Sequence, residues 1–167
     1  HERRAARALI DSGLLEAVTQ VDLTTPDPPL PKSSAFTLTE SQGLALEKIR
    51  HALDQTNFQV FLLQGVTGSG KTEVYLRAAA HCLNSGKNVL VVVPEIALTP
   101  QLVSRFKGRL GENIAVLHSG ISDGERSRQW HLLNMGKYRV CIGARSSAFS
   151  PIGNLGLVIV DEEHDSA

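Results

Sequence analysis

Long apolar runs and an excess of charge of either sign are both missing from this sequence, and each absence removes a class of protein. No apolar stretch approaches the ~20 residues that a membrane-spanning helix needs. The charged start His1-Glu2-Arg3-Arg4 has no apolar stretch behind it, as a secretory signal would have. The 17 Lys and Arg residues balance the 17 Asp and Glu residues, so the net charge gives no indication of a polyanionic partner. A basic strip on one face is nevertheless compatible with a net charge of zero. We therefore expect no membrane partner.

Clustered cysteines are also missing. Cys82 and Cys141 are the only two, and they lie far apart in the sequence, each among apolar residues. Zinc sites use clusters such as Cys-x-x-Cys. We predict two buried, reduced thiols, which are typical of a cytoplasmic protein. With 42% hydrophobic and 20% charged residues over 167 positions, the composition is that of one compact globular domain with a short additional segment.

Prolines divide the chain near residue 30. Four of them fall within residues 26–31, where they exclude a helix interior and a central strand. Residues 24–35 are therefore predicted to form an extended linker. Residues 3–10 are typical of a helix, and residues 14–23 form a β-prone stretch. Because the first residue is not Met, we expect the chain to begin inside a longer protein.

From residue 36 onwards, helical and strand patterns alternate. The patterns predict helices at 39–55, 71–85, 99–109 and 123–135, and strands at 58–63, 88–93, 113–117, 138–143 and 155–160. The strand at 88–93 is an unbroken apolar run, as expected for a strand buried on both faces. This alternation predicts an α/β fold in which helices flank a parallel sheet on both sides.

A phosphate-binding loop is predicted between the strand at 58–63 and the helix that follows it. Gly65-Val66-Thr67-Gly68-Ser69-Gly70-Lys71-Thr72 fits G-x-x-x-x-G-K-[ST] at every fixed position. Its glycines let backbone N–H groups point at phosphate oxygens, and the next helix adds its positive N-terminal end. Lys71 can reach the β- and γ-phosphates of a nucleotide, and Thr72 can offer its hydroxyl to Mg²⁺.

The last predicted strand ends in Asp161-Glu162-Glu163-His164. Asp161 would lie at the carboxyl end of the sheet, where it can hold the same Mg²⁺ as Thr72. Glu162 points to the opposite face of the strand and can polarise the attacking water. The sequence therefore predicts an ATPase site with Lys71, Asp161 and Glu162 as its catalytic residues.

These acidic residues resemble the D-E-x-H box of superfamily 2 helicases. In the form Asp-Glu-Glu-His followed by Asp165, they resemble the box of the primosomal replication-restart DNA helicases. Further segments are similar to motifs of that family: 38–42, 66–75, 93–101 (motif Ia), 118–120 and 143–149. Ala144 departs from the Thr that is usual in the family.

The resemblance covers residues 36–167 and implies a RecA-like P-loop domain, the first ATP-binding lobe of a helicase. It implies an ATP-dependent 3′-to-5′ DNA helicase that acts in replication restart and primosome assembly at stalled forks. ATP and Mg²⁺ would be its cofactors, with Gln42 recognising adenine and His164 near the nucleotide. Single-stranded and forked DNA, other primosome proteins and the single-stranded-DNA-binding protein would be its partners. Residues 1–23 would end a winged-helix DNA-binding domain, and the zinc ligands of the family would lie outside this chain.

DNA contacts are predicted at two places. Thr99 and Gln101 begin a helix, and Arg145, Ser146 and Ser147 follow a strand. Hydroxyl, amide and basic groups of this kind hold the phosphate backbone of single strands. The alternative for each residue is a helix cap or an ordinary loop position.

Two other functions stay open at this point. An RNA helicase or a duplex translocase of superfamily 2 uses a similar box, although residues 94–99 resemble the restart helicases and not the RNA enzymes. A nucleotide-dependent DNA clamp would bind without turnover, but such a clamp has no need of Glu162.

We expect this chain on its own to bind nucleotide weakly, to hydrolyse it poorly and to unwind nothing. Helicases of this superfamily bind ATP between two lobes, and the second lobe contributes an arginine finger that is worth orders of magnitude in rate. Comparing the ATP turnover number of this chain with that of the full-length protein tests the expectation, and equal turnover numbers would contradict it.

Overall fold

A computed structural model describes residues 37–55, 57–66 and 68–161. Along the chain it contains α1 (Glu40–Asp54), α2 (Lys71–Asn84), β1 (Asn88–Val92), α3 (Pro100–Leu110), β2 (Ile114–Leu117), α4 (Asp123–Asn134), β3 (Val140–Gly143) and β4 (Leu155–Val160). Two short 3-10 helices that the sequence pattern did not predict span Glu95–Ala97 and Arg145–Phe149. The predictions for residues 1–23 and for the linker at 24–35 lie outside the described residues.

The four strands form one parallel sheet in the order β2-β3-β1-β4. Strand β1 lies between two partners, so that Leu90 is opposite Cys141 of β3 on one side and Val158 of β4 on the other. The predicted α/β fold with a parallel sheet is thereby confirmed. Among the described helices, none is both long and apolar enough to cross a bilayer.

Both faces of β1 are buried, because its side chains alternate between two apolar clusters. Val89 and Val91 pack in the cluster that contains buried residues of α2 and α3. Leu90 and Val92 pack in the second cluster, together with Leu133 of α4. Each such side chain contributes roughly 1.5–3 kcal/mol on removal from water. The prediction of helices on both sides of the sheet is confirmed, and the core lies on both faces of β1.

The two cysteines are buried, unpaired thiols on opposite faces of the sheet, as predicted. Cys82 of α2 belongs to the first cluster and Cys141 of β3 to the second. Burial raises the pKa of the Cys82 thiol, and it raises the pKa of Cys141 to about 11. Both side chains therefore act as small apolar groups at neutral pH.

The ends of the helices follow local rules. Thr39 caps α1 by accepting a hydrogen bond from the Gln42 backbone N–H at 3.3 Å, and the Gln42 side chain accepts one from the Thr39 backbone N–H at 3.0 Å. Gly86 lies just past the end of α2 with φ of 79°, in the left-handed region that glycine adopts without strain. These ends fix where α1 begins and where the chain turns into β1.

The predicted strand at 58–63 is wrong for this structure. The segment has no strand partner among the described residues, and Phe58, Val60 and Leu62 are 93%, 82% and 86% exposed. A strand needs a neighbouring edge for its backbone hydrogen bonds. The segment and β4 instead both line a cleft of about 2640 Å³. Apolar, β-prone residues alone do not supply the missing partner.

A pair of glycine substitutions tests the packing of the sheet. A Cβ added to Gly143 would lie 2.5 Å from the Leu117 backbone oxygen and 2.7 Å from Ser147 Cβ, whereas one added to Gly108 of α3 would meet nothing within 4 Å. We expect Gly143→Ala to lower the free energy of unfolding by about 1–3 kcal/mol. We expect Gly108→Ala to raise it by about 0.5–1 kcal/mol, because alanine is the better helix former. Urea unfolding followed by circular dichroism measures both changes, and equal effects of the two substitutions would contradict the close packing around Gly143.

Candidate nucleotide site and strand-end loops

The phosphate loop owes its shape to two glycines in the left-handed region. Gly68 has φ of 80° and Gly70 has φ of 81°, values that side-chain-bearing residues rarely adopt. Between them, the Ser69 backbone N–H donates to the Val66 oxygen at 3.1 Å. Helix α2 starts directly after Gly70, so its free N–H groups face the loop. Thr67, which was also assigned to this loop, lies outside the described residues.

Lys71 folds back over the loop. Its ammonium group donates to the backbone oxygens of Gly65 and Val66. A phosphate oxygen is a stronger acceptor for an ammonium group than a neutral carbonyl is, so a bound nucleotide would compete for this contact. The predicted role of Lys71 at the phosphates is compatible with this position.

Gln42 braces the loop from α1. Its side-chain Nε2 donates to the Ser69 backbone oxygen at 2.8 Å, and its Oε1 accepts from the Thr39 backbone N–H. A Cβ added to Gly70 would lie 2.5 Å from Gln42 Nε2. Sequence reasoning assigned Gln42 to adenine. Here its amide holds the loop and the α1 cap, and the adenine contact stays a prediction.

Asp161 follows β4 and meets the helix of the phosphate loop. The Asp161 backbone N–H donates to the Val92 oxygen at 2.9 Å, and its carboxylate Oδ1 accepts from the Tyr75 hydroxyl at 3.2 Å. Tyr75 lies four residues after Lys71, on the same side of α2. Burial, then the Asp161 charge and this hydrogen bond, raise the pKa of Tyr75 to about 12. The structure thus brings Asp161 close to the helix that carries Lys71 and Thr72.

Sequence reasoning missed Tyr75. Its spacing of four residues from Lys71 puts both side chains along one helix face, but no local pattern indicates the contact with Asp161.

The donors for Mg²⁺ have the right chemistry. The Thr72 hydroxyl and the Asp161 carboxylate are hard oxygen ligands, and Mg²⁺ commonly takes one or two protein oxygens together with phosphate oxygens and water. Within the part of the chain that the structure describes, no group of three or more His, Cys, Asp or Glu side chains could hold a metal by itself. The predicted positions Glu162 and His164 lie outside that part.

The candidate DNA residues divide into exposed and buried ones. Gln101, Arg145 and Ser146 are exposed, and Thr99 is exposed while its hydroxyl oxygen caps α3 by accepting from the Leu102 backbone N–H at 3.2 Å. Ser147 is only 1% exposed, because the chain packs it against Gly143. A direct DNA contact by the Ser147 side chain therefore does not fit this structure.

Glu95 connects two loops at the same edge of the sheet, and sequence reasoning missed it as well. Its carboxylate accepts from the Ser119 backbone N–H at 2.8 Å, and hydrogen bonds from Ser119 lower the pKa of Glu95. Glu95 follows β1 and Ser119 follows β2, so the contact passes over the end of β3. His118 Nδ1 accepts from the Gly120 backbone N–H at 3.1 Å.

An ion network joins α2 to α3. Glu73 Oε1 accepts from Arg77 Nε at 2.7 Å and from Arg109 Nη2 at 2.9 Å. All three side chains are no more than 24% exposed, so solvent screens this network less than a surface pair. The helix that starts at Thr99 is thereby anchored at its far end to the helix of the phosphate loop.

Residues 39–167 match the family model of the DEAD/DEAH box helicases. The chain belongs to the DEAD/DEAH box helicase family. Among its relatives, it is 47% identical over 163 residues to the replication restart protein PriA of Bacillus subtilis. This alignment covers 96% of this chain and 20% of that protein. It is 48% identical over 159 residues to the PriA protein of Chlamydia pneumoniae, covering 95% of this chain and 20% of that protein.

A solved structure is also similar. The structure of RecG bound to a three-way DNA junction has a TM-score of 0.68 and 26% sequence identity, and the match covers 98% of this chain and 20% of that one. The resemblance to replication-restart helicases and the RecA-like fold, both predicted from the sequence, are confirmed. The chain spans about a fifth of the length of these relatives.

Two loop glycines provide a test of the site. Gly68→Ala and Gly70→Ala both place a side chain in the left-handed region, at roughly 1–2 kcal/mol. Only the second also drives a Cβ against Gln42. We expect both to weaken the binding of a fluorescent ADP analogue, measured by titration of the full-length protein, and we expect Gly70→Ala to weaken it more.

A second substitution, Gln42→Ala, separates the effect of backbone strain at position 70 from that of the steric clash with Gln42. Adding Gln42→Ala to the Gly70→Ala variant should recover part of the lost affinity, because the colliding amide is gone. Equal losses in the two single variants, with no recovery in the double variant, would show that Gln42 does not brace the loop in solution.

Proposed function

We propose that the protein is an ATP-dependent 3′-to-5′ DNA helicase that acts in replication restart and primosome assembly at stalled forks, with this chain as its ATP-binding lobe. The observation that carries the ATPase part of the proposal is the hydrogen bond between Tyr75 and Asp161, and the similarity to PriA proteins supports the helicase and replication-restart part. It joins the helix that starts at the phosphate loop to the strand that ends in the acidic box. A phosphate loop without an acidic partner would bind a nucleotide, whereas the two together are the parts that hydrolysis requires.

The residues of the site divide the work of hydrolysis. The N–H groups of the loop and the start of α2 bind the phosphates, and Lys71 neutralises charge on the β- and γ-phosphates. Thr72 and Asp161 would hold Mg²⁺, which offsets the charge that develops on the transferred phosphoryl group when it is bound. Glu162 would orient the attacking water.

DNA would lie along the edge where the strands end. Thr99, Gln101, Arg145 and Ser146 offer exposed hydroxyl, amide and guanidinium groups at the start of α3 and in the 3-10 helix after β3, and such groups suit contacts to a phosphate backbone. Ser147, which is buried, would support the loop without touching DNA. The similarity to PriA proteins and to a RecG bound at a three-way junction supports single-stranded and forked DNA as the ligand.

Further partners follow from the same similarity. Other primosome proteins and the single-stranded-DNA-binding protein would associate with the complete protein. The complete protein would be located in the cytoplasm. The zinc ligands expected for the family would belong to other parts of the complete protein.

The test is the ATPase activity of the full-length protein with forked DNA, single-stranded DNA, duplex DNA and RNA. We expect forked and single-stranded DNA to stimulate hydrolysis most. We expect Lys71→Ala to lower the stimulated rate about 100-fold or more, the usual loss when one preorganised charge-stabilising group is removed. The direction of movement is measured on substrates in which a single-stranded segment carries a labelled duplex strand at one end or at the other. The labelled strand that is released reports the direction.

Each rival function has its own outcome. Stimulation by RNA alone would replace the DNA helicase by an RNA helicase, and stimulation by duplex DNA alone would indicate a duplex translocase. Nucleotide-dependent DNA binding without hydrolysis would establish a clamp.

A further inference from the structure

We propose that Tyr75 is a positioning residue that orients the metal-binding carboxylate of Asp161. This inference rests on the proposed function, because it assigns to Asp161 the Mg²⁺ that accompanies the nucleotide. The Tyr75 hydroxyl would hold one carboxylate oxygen so that the other faces the phosphate loop.

The geometry of the contact supports this role. The Tyr75 hydroxyl lies 3.2 Å from Asp161 Oδ1, across 86 positions of sequence. A tyrosine hydroxyl has one proton to donate, and donation to Oδ1 leaves Oδ2 available. Lys71 precedes Tyr75 by one helical turn and Thr72 lies between them, so Asp161 contacts the same end of α2 that carries Thr72.

The Tyr75 side chain is held by packing against the core. The Tyr75 side chain is partly buried and packs against the cluster that contains buried residues of α2, β1 and β4. Its neighbours Val74 and Leu76 on α2 are buried at 0% and 5% exposure. A rigid helix therefore carries the donor, which is the condition under which a supporting hydrogen bond can hold a metal ligand in one orientation.

The backbone of Asp161 is held independently of Tyr75. Its N–H donates to the Val92 oxygen at 2.9 Å, in line with the pairing of β4 and β1. Removing the Tyr75 hydroxyl would therefore leave the strand end in place and free only the carboxylate to rotate. That separation makes Tyr75→Phe a test of orientation, since the aromatic ring and its packing are retained.

The experiment measures binding of a fluorescent ADP analogue to the full-length protein, once with Mg²⁺ and once with EDTA. The readout is the factor by which Mg²⁺ strengthens binding. We expect Tyr75→Phe to reduce that factor about five-fold, which corresponds to the loss of one hydrogen bond of ordinary net strength, and to leave binding in EDTA unchanged. Tyr138→Phe is the matched control, because Tyr138 packs against the second apolar cluster, whereas Tyr75 packs against the first.

Asp161→Asn completes a double-mutant cycle. If Tyr75 acts through Asp161, Tyr75→Phe should add no further loss in the Asp161→Asn background. An unchanged Mg²⁺ factor in Tyr75→Phe would overturn the inference, as would an equal loss of binding in EDTA, which would mark a purely structural role. If the wild-type protein did not bind the ADP analogue at all, the proposed function would fail together with the inference. If Mg²⁺ strengthened binding to the wild-type protein and to Tyr75→Phe by the same factor, only the inference would fail.

Discussion

Hydrogen bonding along both edges of β1, with burial of both its faces, is the constraint on which the rest of the structure depends. A strand held in this way cannot slip by one residue, because the slip would exchange Val89 and Val91 with Leu90 and Val92 between the two clusters. The parallel partners inherit this register. Every loop that leaves the carboxyl end of a strand therefore emerges at one edge of the sheet, and Asp161 and the candidate DNA residues lie there for topological reasons.

Helix α2 connects the sheet to the phosphate loop. Its buried face joins it to the sheet, while its partly buried side chains reach outward in two directions. Tyr75 reaches the end of β4, and Glu73 reaches Arg109 of α3. The nucleotide site and the helix that starts at Thr99 are thus attached to one rigid element. Movement of α2 would therefore displace both the phosphate loop and α3.

Much of the fold was predictable because its signals are local. An apolar run such as Leu90-Val91-Val92 needs no distant information to indicate a buried strand, and the phosphate-loop motif marks the start of α2 by itself. The strand expected at 58–63 failed because pairing depends on a neighbour that no local window contains. At the candidate site, motifs predicted Lys71 and Asp161 without any distant information, and their roles stay predictions. Contacts between distant segments were not predictable in this way. Tyr75 has the pattern of an ordinary core residue until β4 brings Asp161 beside it, and the bond from Ser119 to Glu95 exists only because β1 and β2 lie in one sheet. Ser147 was predicted to contact DNA. Its burial follows from the 3-10 turn over Gly143, which the sequence pattern does not reveal.

The outer edge of β4 has a practical consequence for handling the chain. Within the described residues, β4 is the last strand of the sheet, and Leu155, Val158 and Val160 are 44%, 49% and 48% exposed. An edge with unsatisfied backbone groups and apolar side chains is a template for strands of other molecules. Preparations of this chain alone would thus tend to self-associate through β4. This self-association would limit the protein concentrations at which the chain can be studied.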